Sequence, residues 1–107
     1  VRRLQRKLRE LDGRAKVLQQ DLQTVKERLG VADATVELWL RRSRAMAAEG
    51  VPRTDQRMLQ AQQRVDNLKE EGERLEAAQA QLEGRMTNCR ANQDRIELEL
   101  VNLGATV

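Results

Sequence analysis

The apolar positions of this chain recur at alternating spacings of three and four over two long stretches. The first series is Val1, Leu4, Leu8, Leu11, Ala15, Leu18, Leu22, Val25, Leu29, Ala32, Val36, Trp39 and Met46, with Ser43 its one polar member. The second is Met58, Ala61, Val65, Leu68, Leu75, Leu82, Met86, Cys89, Ile96, Leu100 and Leu103, interrupted at Gly72, Gln79 and Gln93. A mean spacing of about 3.5 residues puts each series on one stripe of an α-helix, the a and d positions of a heptad. The a position falls on Val1 in the first stretch and on Met58 in the second. These phases differ by one residue, so the two stretches do not share one unbroken seam.

Between them lies Gly50-Val51-Pro52-Arg53-Thr54. Gly50 suits a left-handed C-terminal cap. Pro52 lacks an N–H and pushes Val51 out of the helical region. Thr54 followed by Asp55 reads as an N-cap with an acid in the first turn. The pattern predicts a helix over about 1–49, a turn over 50–53 and a helix over about 54–103. Gly13 and Gly30 fall on the outer face and leave the phase intact, which favours a continuous first helix. A break at Gly30, with Asp33 capping a new helix, is the alternative.

Folding the chain at Pro52 so that facing residues sum to 104 brings every a of one helix opposite a d of the other. The layers then include Leu4–Leu100, Leu8–Ile96, Leu11–Gln93, Ala15–Cys89, Leu18–Met86, Ala32–Gly72, Val36–Leu68 and Trp39–Val65. The expected fold is all-α, a long antiparallel two-helix coiled-coil hairpin. Gln79 and Gln93 read as register-fixing or wet positions. Ala32 opposite Gly72 leaves a small-residue gap near Trp39 for the indole to fill.

The flanking charges support this register. Lys7–Glu99, Asp21–Arg85 and Glu49–Arg57 meet across g positions, and Asp12–Arg90, Lys26–Glu76 and Asp33–Lys69 across e positions; all attract. Arg42–Arg64 alone repels. A parallel dimer of the second helix would set Arg64 against Lys69, Glu71 against Glu76 and Arg85 against Arg90, three repulsions that disfavour it. Leu38, Leu40 and Leu59 lie off the seam near the turn, and Leu98 and Val101 at the far end. Val31, Ala34, Leu38 and Ala45 form a second stripe, either scattered surface residues or a dock for another helix.

Composition narrows the function classes. The 107 residues contain one Trp and no Tyr or Phe, while 35% are charged, a profile of coiled coils rather than compact cores. The net charge of +3 comes from 20 basic and 17 acidic residues, mixed along most of the chain, and is weak support for nucleic-acid binding. Missing aromatics also remove the stacking platforms that single strands use. The sequence has no His and a single Cys. Cys89, without a base to activate it and inside the heptad, reads as an inert core thiol of a reducing compartment. No metal-ligand set, phosphate loop or catalytic constellation is present, so no enzyme activity, cofactor or metal site is expected. No apolar run reaches the ~20 residues of a membrane span. The chain starts without Met and ends at Val107 without a cap, as expected of one coiled-coil segment of a longer protein.

The basic run Arg2-Arg3-Leu4-Gln5-Arg6-Lys7-Leu8-Arg9 reads as a solvated helix face, since Leu4 and Leu8 keep the heptad. Arg41, Arg42, Arg44, Arg53 and Arg57 give the turn end a basic character. The residues singled out for interaction are Leu38, Trp39, Leu40, Arg41, Arg42, Arg44, Arg53 and Leu59.

Asp33-Ala34-Thr35-Val36-Glu37-Leu38-Trp39-Leu40-Arg41-Arg42 resembles the first helix of a spectrin repeat, where a Trp, often followed by Leu, sits mid-helix in the core. The short loop at Glu49 to Arg53 is similar to the one that follows in that family, and Leu59, Gln62, Val65, Leu68 and Leu75 to its second helix. The combination, mainly over residues 33–85, is also similar to plakin rods. The resemblance implies a cytoplasmic cytoskeletal or junctional scaffold that binds proteins through helical surfaces. It also implies a three-helix bundle as the alternative architecture, with a second turn near Gly84 or Asn88. Two functions therefore stand: a structural protein-interaction module that spaces domains and associates with partner helices or a second copy of itself, or an arm whose basic tip contacts nucleic acid or another macromolecule.

Overall fold

The computed structural model describes residues 1–104. It is a helical hairpin of α1 (Arg2–Ala48) and α2 (Gln56–Asn102). Both helices are unbroken. α1 runs through Gly13 and Gly30, and α2 through Gly84 and Asn88 without a second turn. The glycines tolerate this because none is asked for a non-helical conformation there; among the described residues positive φ occurs only at Gly50 and Gly104.

The turn is built by two caps. Gly50, at φ 87°, ends α1 in a Schellman motif: the Val51 N–H donates to the Met46 carbonyl at 3.0 Å and the Gly50 N–H to the Ala47 carbonyl at 3.0 Å. The start of α2 differs from the sequence expectation by one residue. Asp55, not Thr54, is the N-cap: its Oδ1 accepts the Arg57 backbone N–H at 2.9 Å. The cause is a further turn after the proline, closed by the Asp55 N–H donating to the Pro52 carbonyl at 3.0 Å. That turn uses Thr54 before the helix can begin.

The hairpin comprises two packing units. In the turn-end unit, Val25–Ala78, the buried residues are Ala32, Ala61 and Val65. In the other unit, Val1–Thr24 with Gln79–Val107, Leu11, Cys89, Ile96 and Leu100 form one cluster, against which Leu4, Leu8, Ala15 and Leu18 pack. These are the residues of the expected layers. Every seam position from Leu4 to Leu100 is buried or half-buried, and only the terminal Val1 and Leu103 are exposed.

Two expectations change. None of the six attractive interhelical pairs closes to within 4 Å; ion pairs among the described residues include Lys16–Asp12, Arg57–Asp55 and Arg74–Glu70, each within one helix or its cap. Exposed ion pairs are worth only about 0–1 kcal/mol each, so the seam does not depend on closing them. The g-position partners do share surface grooves: Lys7 with Glu99, Asp21 with Arg85 and Glu49 with Arg57. Gln79 is half-buried in the seam, as its expected wet or register-fixing place allows, and its amide donates to Glu83 at 3.1 Å on the same helix. Second, the indole does not fill the Ala32–Gly72 gap: a Cβ placed on Gly72 meets no neighbouring side chain within 4 Å.

Candidate functional site

Heptad geometry divides the singled-out residues between the two flanks of the turn-end unit. Around a helix the positions run d, g, c, f, b, e, a. Trp39 is d, Arg42 g and Leu38 c, so these three lie together on the g flank. Leu40 is e, Arg44 b and, on α2, Leu59 b; these lie toward the opposite flank. Arg41, at f, faces away from the seam, and Arg53 sits in the turn. The eight residues are therefore not one patch. Leu38 and Leu59 are exposed at 45% and 57%, while Leu40 is half-buried.

The g flank carries the more structured surface. A groove there is floored by Trp39 and Met46, both half-buried, and bordered by Ala45, Arg42, Glu49, Arg57 and Arg64. The Arg42 guanidinium lies 4.8 Å from the indole centroid and that of Arg64 5.6 Å. Arg42 reaches the ring because helical side chains lean back toward the preceding turn. Arg64 reaches it from α2, next to Val65 in the Trp39 layer. Two cations thus share the π system of the sole aromatic residue, each contact worth about 0.5–1 kcal/mol at such an exposed site.

Arg57 is differently engaged. Its Nε and a terminal nitrogen fork onto the Asp55 carboxylate at 3.2 and 3.4 Å. The side-chain and backbone hydrogen bonds from Arg57 hold the Asp55 carboxyl below its ordinary value. In return the Asp55 hydrogen bond raises Arg57, with a smaller contribution from the field of Glu49. Arg42 and Arg64 have no carboxylate within 4 Å among the ion pairs of the described residues.

Arg64 was not among the residues singled out from sequence. Its signal was there, as half of the one repulsive g pair, placed beside the Trp layer. Among the described residues no three His, Cys, Asp or Glu side chains gather as a metal site would require. No helix is long and apolar enough to cross a membrane. No protein-family model, curated protein or solved structure matches the chain.

Proposed function

We propose that this chain is a structural protein-interaction module, a coiled-coil segment whose exposed helical surfaces associate with other helices. The observation that carries the reading is the thinness of the seam. Two helices leave most a and d residues only half-covered, and Val17, Val31, Leu38, Leu59, Leu98 and Val101 are all at least 45% exposed outside it. Surface of this kind is covered by further helices in bundles and rods. The resemblance to spectrin repeats and plakin rods adds the expectation of a cytoplasmic, cytoskeletal or junctional scaffold.

The competing reading, a basic tip on nucleic acid, draws on Arg41, Arg42, Arg44, Arg53 and Arg57. Arg57 already forks onto Asp55 and Arg42 lies on Trp39, which weakens it. Sedimentation velocity of the chain, alone and with a single-stranded RNA oligonucleotide at low and moderate salt, separates the two. Helix association that persists at moderate salt supports the module. RNA binding that collapses over that range, with no protein association, overturns it.

A further inference from the structure

We infer that the Trp39 groove on the g flank is a docking site for an acidic amphipathic helix of a partner protein. The inference rests on the interaction-module reading and adds the location and chemistry of one partner surface. Its starting point is a mismatch in charge. Along the g positions the hairpin places Lys7 opposite Glu99, Asp21 opposite Arg85 and Glu49 opposite Arg57. At Arg42 and Arg64 it places two cations, and they converge on one indole at 4.8 and 5.6 Å.

Like charges gathered on one ring repel, and among the described residues neither guanidinium has a carboxylate within ion-pair distance. Glu49 borders the groove but forms no ion pair with either of them, and Asp55 is taken by Arg57. Guanidinium offers donors only. Its planar fork matches a carboxylate in two parallel hydrogen bonds. The missing component of the groove is therefore anionic.

It is also apolar on one side. Trp39 and Met46 are half-buried on the groove floor, with exposed Ala45 at its edge. A helix laid along the groove covers that floor with residues at i, i+3 and i+4, and carries Asp or Glu on its edge against Arg42 and Arg64. A nucleic-acid strand fits less well, because the face of the one indole is occupied by guanidiniums. A second copy of this chain is the other protein occupant, and the experiment below distinguishes it.

Trp39 is the only Trp, so its emission reports on the groove directly. The probe is a synthetic amphipathic peptide of about four heptads with Leu at a and d and Glu at the flanking positions; its control carries Lys in place of Glu. The expected result is a saturable change in Trp39 emission with the Glu peptide, about tenfold or more weaker binding of the Lys peptide, and weakening by salt. The double variant Arg42→Glu, Arg64→Glu is expected to reverse the preference. Should that variant lose helicity, Arg42→Gln and Arg64→Gln are each expected to weaken the Glu peptide.

Equal binding of the two peptides, or a preference unchanged by the variants, overturns the acidic groove while leaving helix docking intact. Quenching that rises with protein concentration alone assigns the groove to a second copy and also overturns it. An RNA oligonucleotide producing the same emission change does so as well. If neither peptide binds and the chain stays monomeric, both this inference and the module reading fail.

Discussion

The Cys89 thiol donates to the Leu11 backbone carbonyl across the seam, with sulfur and oxygen 3.3 Å apart. Both residues are buried, at 6% and 4% exposure. In an α-helix the carbonyl of residue i points along the axis toward residue i+4, so the Leu11 oxygen lies near the level of Ala15. The thiol therefore sits at the layer of Ala15, where facing residues that sum to 104 place it. One contact between distant residues thus fixes the register of the unit that contains them.

The Asp55 cap gives a pH prediction. Its folded-state value is lowered, chiefly by the Arg57 side-chain hydrogen bond and then by the backbone one. A depressed carboxyl contributes stability that is fully present above its unfolded value and is lost as pH falls through the folded value. Asp55→Asn retains a capping oxygen but not the charge. Its thermal midpoint is expected to match the parent in acid and to fall below it at neutral pH. Parallel midpoints at every pH would show that the carboxylate adds nothing.

Glycine substitutions separate turn from helix. At Gly50, φ is 87°, and an L residue there is strained by roughly 1–2 kcal/mol. At Gly72 a Cβ meets open space within a seam layer, so Gly72→Ala is expected to stabilise by about 1 kcal/mol through helix propensity. Urea unfolding measures both. A Gly72→Ala variant no more stable than the parent would mean that the gap is an approach the hairpin needs.

Much of this was readable beforehand, and for one reason. A two-helix seam exposes one stripe to its partner, so the period of the sequence is the packing. That is why Leu8, Ile96 and Cys89 lie where the heptad places them. The cap moved from Thr54 to Asp55 because both can cap, and only the backbone turn from Pro52 decides between them. The interhelical ion pairs were legible as positions, not as contacts, since sequence carries no information on whether exposed side chains close. The Arg42–Arg64 pair was legible as a repulsion beside the Trp39–Val65 layer, but its double contact on the indole was not, since side-chain closure is not written in the period.

Trp39→Ala tests how much that layer holds. A fully buried aromatic costs about 3–5 kcal/mol on truncation. Trp39 is half-buried and open to the groove, so about 2 kcal/mol is expected, including the loss of two cation–π contacts. Denaturant midpoints followed by circular dichroism measure it. A loss below about 0.5 kcal/mol would make the indole a surface group without a role in the hairpin.

The register can be locked chemically. Ala15 is half-buried and packs against the cluster that contains Cys89, the only cysteine of the chain. A disulfide needs Cα atoms within about 7 Å, and the Cys89–Leu11 contact sets Cys89 at the Ala15 layer. An Ala15→Cys variant is therefore expected to cross-link to Cys89 under mild oxidation. In the hairpin described here both residues belong to one chain, so a non-reducing gel should show a monomer of altered mobility. The same contact made between two chains, each lending a helix to the other, would run as a covalent dimer. The monomer is expected because the Gly50 and Asp55 caps already close the turn within one chain, and short connections pair adjacent helices. Failure to cross-link with helicity intact would refute the register that the Cys89–Leu11 contact defines.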